Sequence, residues 1–269
     1  MMMGIKCCIK KDIKETLRTG KVILFALLAL GIGVMIMGFT LLFTDIPDYL
    51  AYELPGFDIE SLESMMITLY PRKVGGSLGV FSYYIGFFYS LITILVCNNI
   101  IPKEQKNGKW ILPREMGYKG RDFLTSKCIV YGSLAGISVF VTYMLYYFVA
   151  NAIFERDMTF GNALFLAILH GLNVFFILDF TFLFATWFKS GVIAAISMIG
   201  TVMFVPDIMN FLPIGKYLPT YLLTFVYDYR SDYGEVIAPM LINLILFVAT
   251  YVFAVDRLER EEKNSLKKA

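Results

Sequence analysis

Six long apolar runs constrain the fold of this chain more than any other feature of its sequence. A helix needs about 20 apolar residues to cross a hydrocarbon core about 30 Å thick. Transmembrane strands would instead appear as windows of about 10 residues with alternating polarity. The runs are unbroken, so their backbone groups must be satisfied within each segment, as in a helix. They cover residues 22–43, 78–101, 128–151, 161–188, 191–211 and 236–255.

The sequence therefore predicts an all-α integral membrane protein with six transmembrane helices in a single transmembrane domain, residues 1–269. Its composition agrees, because 58% of the residues are hydrophobic and only 17% are charged, outside the usual balance of soluble domains. Most of the 24 basic residues fall before the first run, between the second and third runs, and after the last. Cytoplasmic flanks collect Lys and Arg, so both termini are expected in the cytoplasm of a bacterial cell, with the protein in its plasma membrane.

The segment before the first run, residues 4–21, reads GIKCCIKKDIKETLRTGK. Its apolar residues recur every four positions and form one stripe of a helix, with Lys and Arg elsewhere around it. Such a helix lies along the inner leaflet, with its apolar side at the headgroup boundary and its cations near anionic lipid. The lipid bilayer, and not nucleic acid, is the expected partner of these charges. The alternative is a solvated basic tail.

The longest cytoplasmic loop, residues 102–127, reads PKEQKNGKWILPREMGYKGRDFLTSK. It is too short to be a folded domain, and its prolines and glycines leave room for one or two short helices. The tendency of cytoplasmic loops to be basic explains its charges. That tendency does not explain the spacing of Glu104, Gly108 and Lys127.

This spacing resembles the first inner loop of the permease subunits of type-2 ABC exporters. That loop carries a Glu, a Gly four residues later and a Lys before the next span, and Arg121 is the nearest match to an Arg ahead of that Lys. The sequence departs from the family pattern at two positions: Lys109 stands where the family often has Thr, and Gly117 where it has Pro.

The resemblance implies that residues 102–127 form a coupling element seated in a cleft of a separate ATP-hydrolysing subunit. The residues expected to serve this coupling are Glu104, Gly108, Trp110, Arg121 and Lys127. Trp110 or the neighbouring Ile111 would be the apolar anchor at the interface. On this reading, Gly108→Pro and Glu104→Lys should each abolish coupled ATP hydrolysis without affecting folding.

The resemblance also implies a permease pair, made with a second copy or a sister chain, that exports a drug, a peptide or a lipid-like substrate. The sequence contains no G-x-x-x-x-G-K-[ST] phosphate cradle. ATP and Mg are therefore expected on the partner ATPase, with no cofactor, no metal and no catalytic residue in this chain.

Residues 212–235 are interrupted by prolines and a glycine. By the same resemblance, they correspond to a short re-entrant element on the outer side; a plain outer loop is the alternative.

Three polar residues of the fourth run are candidates for a substrate or proton pathway, because charged and polar groups at membrane depth are costly and often functional. They are Asp179, His170 and Asn173. Nine residues place Asp179 and His170 on nearly opposite faces of one helix, so each needs a partner elsewhere. A structural role in helix packing is the alternative for all three.

Two other classes of function remain open. A non-transporting immunity or sensor protein would bind peptides at the outer face, where residues 44–77 are acidic. An intramembrane enzyme fits less well, because the single histidine of the chain cannot supply the ligands of a metalloprotease.

Overall fold

A computed structural model describes residues 2–53, 71–209 and 234–266 of the chain. These residues are helical nearly throughout, and their only strand-type pairing is an isolated bridge between Lys73 and Glu155. The all-α prediction is confirmed for this part of the chain. The predicted re-entrant element at residues 212–235 lies outside the described residues except for its last two.

The chain begins with two helices, α1 (Met2–Arg18) and α2 (Lys21–Glu53). Gly20 separates them with a φ of 69°, a left-handed conformation that glycine adopts without steric cost. The helix predicted for residues 4–21 is thus present. Helix α2 continues ten residues beyond the apolar run that ends at position 43, because a loss of hydrophobicity ends a membrane span but does not by itself end a helix.

Two short π-helical segments, Ile85–Tyr89 and Cys128–Gly132, are inserted between α-helices further along the chain. The remaining helices are, in chain order, α3 (Val74–Tyr84), α4 (Ser90–Cys97), α5 (Ile100–Lys106), α6 (Ile111–Glu115), α7 (Gly120–Lys127), α8 (Ser133–Ile153), α9 (Phe160–Phe188), α10 (Gly191–Met209) and α11 (Gly234–Leu266).

Five helical stretches of the described chain are long and apolar enough to cross a membrane, which makes this a multi-pass membrane protein. They cover Lys21–Leu42, Val74–Lys106, Gly120–Ile153, Phe160–Phe188 and Val236–Arg260. The apolar part of α10 that the structure describes in full, Gly191–Val205, is shorter. The span predicted at residues 191–211 and the side on which the termini lie therefore remain predictions.

Helix α9 lies at the centre of the bundle, where it packs against α4, α8, α10 and α11. Its closest neighbour is α8, and the two backbones meet at Gly136 and Gly171. A Cβ atom added at Gly136 would lie 2.6 Å from the carbonyl oxygen of Gly171. Small residues let transmembrane helices approach closely, so that van der Waals contact replaces the hydrophobic effect that is absent in lipid.

Gly136→Ala should lower the free energy of unfolding by about 1–3 kcal/mol, because the added methyl group forces the two backbones apart. The change is measured by thermal unfolding of the detergent-solubilised protein. Gly200→Ala is the matched control in another apolar helix, since a Cβ there meets no atom of the described chain within 4 Å. Equal stability of the two variants would contradict a tight crossing at Gly136.

Candidate functional site

A buried lysine joins the loop of residues 102–127 to the N-terminal helix. Lys127, the last residue of α7, is fully buried. Its Nζ atom lies 2.7 Å from Oδ1 of Asp12 in α1 and 2.8 Å from Oε1 of Glu104 in α5. Lysine is almost never buried in this way without a paired charge. These two ion pairs therefore tie two helices of the loop to each other and to the N-terminal helix, which is distant from them in sequence.

Both carboxylates are held through their second oxygen as well. The indole Nε1 of Trp110 donates a hydrogen bond to Oε2 of Glu104 at 3.0 Å, and the Ser126 hydroxyl donates to Oδ2 of Asp12. Asp12, Glu104, Trp110, Ser126 and Lys127 are here called the Lys127 cluster. Every charged atom of the cluster has a partner, which is the condition under which a buried ion pair is tolerated.

Two neighbouring lysines connect the cluster to its surroundings. Nζ of Lys11, which is partly exposed, lies 3.8 Å from Asp12 and 3.9 Å from Glu104. Lys21, the first residue of α2, donates a hydrogen bond to the hydroxyl of Tyr131 at 3.1 Å. The ring of Tyr131 also lies 5.5 Å from Nζ of Lys127. The beginning of the first span is thus linked to the same cluster.

Three carboxylates approach one another closely enough to hold a metal ion: Asp12, Glu15 and Glu104. The Lys127 ammonium already lies within hydrogen-bond distance of two of them. Asp12 and Glu104 therefore have a fixed cation in the protein itself and act as its counter-ions, whereas Glu15 lies 3.6 Å from Nζ of Lys109.

The N-terminal helix turns a different stripe toward the protein than its apolar pattern suggests. Cys8, Asp12 and Thr16, which follow one another at intervals of four, are buried against the bundle, and burial raises the pKa of the Cys8 thiol to about 11. The C-terminal half of the predicted apolar stripe is on another side of the helix, with Ile13 47% and Leu17 63% exposed, while its first half is half-buried. An exposed apolar stripe is what a helix in contact with lipid requires.

The structure brings together two of the loop residues selected from the sequence spacing, Glu104 and Lys127, as a direct ion pair. Gly108 ends the turn after α5 with a φ of 69°, and Lys109 N–H beside it donates to the Glu104 carbonyl oxygen at 3.1 Å. Arg121 is partly buried on α7 and is not among the hydrogen-bonded partners of the cluster.

In this conformation of the loop, Trp110 is not accessible to a partner subunit and so cannot be the apolar anchor of an interface. This side chain is only 2% exposed and stacks on Phe123, with ring centroids 4.9 Å apart. Its hydrogen bond to Glu104 explains the burial, because indole N–H seeks a partner when it leaves water. Among the loop side chains that the structure describes, the exposed large apolar ones are Ile111, 62% exposed, and Met116, 65% exposed.

The loop also contains more helix than expected, with α5, α6 and α7 in place of one or two short helices. Its prolines do not prevent this: Pro102 lies near the start of α5 and Pro113 inside the five-residue α6. The ion pair between Glu104 and Lys127 also makes Glu104→Lys unsuitable as a test of coupling. A second ammonium beside Lys127 would disrupt the buried cluster, so folding and coupling could not be separated in that variant.

Asp12 is the main site residue that the sequence reasoning missed. One signal could have revealed it: Asp12 is an acid within a strongly basic amphipathic segment, and it shares a stripe with the small residues Cys8 and Thr16. What the sequence alone could not supply is its partner, because Lys127 lies 115 positions away.

The three residues of α9 that are candidates for a substrate or proton pathway are all buried. A Cβ at Gly132 would lie 2.7 Å from Oδ1 of Asp179, which places this carboxyl group against the π-helical segment, beside the Cys128 thiol. His170 stacks on Tyr143 with ring centroids 5.5 Å apart. Within the described chain, the Asp179 oxygens, His170 Nε2 and Asn173 Nδ2 have no hydrogen-bond partner of normal geometry.

No protein-family model matches the sequence of this chain, and no curated protein matches it significantly.

Lys127→Met should lower the free energy of unfolding by about 3–5 kcal/mol, because it leaves two buried carboxylates close together without their cation. Lys106→Met is the control, since Lys106 is exposed in the same loop. Thermal unfolding of the full chain in detergent measures both.

A triple variant, Asp12→Asn with Glu104→Gln and Lys127→Met, removes all three charges and should regain a large part of the lost stability. If Lys127→Met were no less stable than Lys106→Met, the buried ion pairs would not be holding the three helices together.

Proposed function

We propose that this chain is the permease subunit of an ATP-driven ABC exporter, and that its first cytoplasmic loop transmits the motion of a separate ATPase subunit to the membrane helices. The observation that supports this most directly is the Lys127–Glu104 ion pair. It joins the two ends of the loop at the point where each end becomes a long apolar helix.

The loop is built so that its tip has little freedom relative to these helices. Helix α5 belongs to the apolar stretch Val74–Lys106 and α7 to the stretch Gly120–Ile153, which leaves only residues 107–119 between them. Trp110 connects this tip to the cluster through Glu104 and Phe123. A push on the tip would therefore move the inner ends of two spans, and through Asp12 also the N-terminal helix.

The surface offered to an ATPase would consist of Ile111 and Met116, with the cations of the loop around them. Exposed apolar residues surrounded by charge are typical of protein interfaces. Trp110 then acts as a positioning residue beneath this surface, and Gly108 supplies the backbone turn that presents it. ATP and Mg would be bound by the partner, and this chain would have no enzymatic activity of its own.

The complete assembly would contain two permease chains, as two copies or as a sister pair, in a bacterial plasma membrane. Each would have six spans with both termini in the cytoplasm, and would move a drug, a peptide or a lipid-like molecule outward. Asp179, together with His170 and Asn173, remains a candidate for the substrate or proton pathway, because its buried carboxyl group is costly in an apolar environment. No described contact favours the peptide sensor or the intramembrane enzyme.

Replacing Ile111 and Met116 together by Asp should reduce co-purification of a soluble ATPase by on the order of tenfold, because two exposed anchors are removed from the interface. The measurement is a pull-down of the tagged chain from native membranes in mild detergent, with mass spectrometry and an ATPase assay of what is retained.

Ile153→Asp is the control, since this exposed apolar residue ends α8, at the far end of the membrane-length stretch that follows the loop. Unchanged thermal stability of the double variant would show that the loss comes from the interface. Absence of any ATPase with the unaltered, folded chain would rule out the coupling role.

A further inference from the structure

The N-terminal helix and the turn of the loop enclose a basic groove that the coupling role does not require. It has a volume of about 790 Å³ and is lined by Lys11, Lys14, Glu15, Arg18, Thr19, Gly108, Lys109 and Pro113. We call this the α1–loop groove. Four of its side chains are cationic and one is anionic, so it carries a net positive charge.

The cations of the groove are incompletely neutralised by the protein. Lys11 and Lys109 lie 3.8 Å and 3.6 Å from the nearest oxygens of Asp12 and Glu15, which is beyond hydrogen-bond distance. Lys14 and Arg18, one helical turn apart, form no ion pair with any described residue. An anion in the groove would therefore meet unsatisfied donors, including a guanidinium whose planar fork matches phosphate.

The position of the groove limits what that anion can be. Arg18 lies three residues before Lys21, where the first apolar helix begins. Leu17 beside it is 63% exposed, and Ile13 one turn earlier is 47% exposed. An apolar stripe next to a cationic groove at the start of a span fits a molecule that combines a phosphate with hydrocarbon chains, and the inner leaflet is rich in such molecules.

We propose that the α1–loop groove binds the phosphate headgroup of an anionic phospholipid, with Lys14 and Arg18 as its main ligands. The headgroup would contact α1 and the Gly108–Lys109 turn at once and would stabilise the loop against the bundle. Lys109 would exchange its long contact with Glu15 for the phosphate. This goes beyond the exporter role, because it makes the position of the loop dependent on the lipid of the inner leaflet.

The test is equilibrium binding of a fluorescent short-chain phosphatidylglycerol to the full chain in neutral detergent, with the phosphatidylcholine analogue as comparison. Lys14→Gln with Arg18→Gln should weaken binding of the anionic lipid by on the order of tenfold, since each cation near an anionic headgroup contributes measurably to affinity. Glu15→Gln should strengthen it by a few fold, because a competing anion is removed from Lys109.

Lys6→Gln with Lys10→Gln is the matched control: both lysines are exposed on the same helix, they lie outside the groove, and the charge change is the same. Equal weakening by both double variants would overturn the proposal in favour of diffuse surface charge. Equal binding of phosphatidylcholine, or displacement of the probe by inorganic phosphate as readily as by unlabelled phosphatidylglycerol, would overturn it too.

Loss of a co-purifying ATPase in Lys14→Gln with Arg18→Gln, with lipid binding unchanged, would assign the groove to the protein partner and overturn the lipid proposal. Because lipid binding is measured without an ATPase, its failure leaves the coupling role untouched, and failure of the coupling role leaves the lipid site testable.

Discussion

The ammonium group of Lys127 is the constraint on which the packing of the N-terminal helix and the first loop of the bundle depends. A lysine at the start of a membrane span would normally extend to water, but this one is buried between Asp12 and Glu104. An ammonium is stable there only while both carboxylates stay in place. The N-terminal helix, the end of one membrane-length helical stretch and the beginning of the next are consequently fixed to one point.

The cluster is continuous with the interior of the membrane bundle. Lys127 is followed directly by the π-helical segment Cys128–Gly132, and π-helical insertions in α-helices are frequent at functional sites. Asp179 of the central helix α9 lies against Gly132 in this segment, and Tyr131 of the same segment lies beside Lys127 and Lys21. Only a few adjoining residues therefore separate the Lys127 cluster from the buried carboxyl group of Asp179.

The side chains of the N-terminal helix fall on three sides that have different surroundings. Its small and polar stripe fits against the bundle through Cys8, Asp12 and Thr16, which leaves the apolar residues Ile13 and Leu17 on an exposed side. The cations between these faces line the α1–loop groove. Buried polar residues, exposed apolar residues and the cations of the groove thus fall on three different sides of one helix of 17 residues.

The sequence by itself determined the class of fold, because apolar runs of about 20 residues have only one stable backbone solution in lipid. It also located the N-terminal helix, and the resemblance of one loop to a family pattern pointed to Glu104 and Lys127. Tertiary structure alone decided what these residues touch. How distant helices pack decides that Trp110 is buried, that Ile111 is exposed and that Asp12 pairs with Lys127. The sequence alone could not show this, because the hydrophobic pattern of one segment carries no information about which charge of another segment will lie beside it.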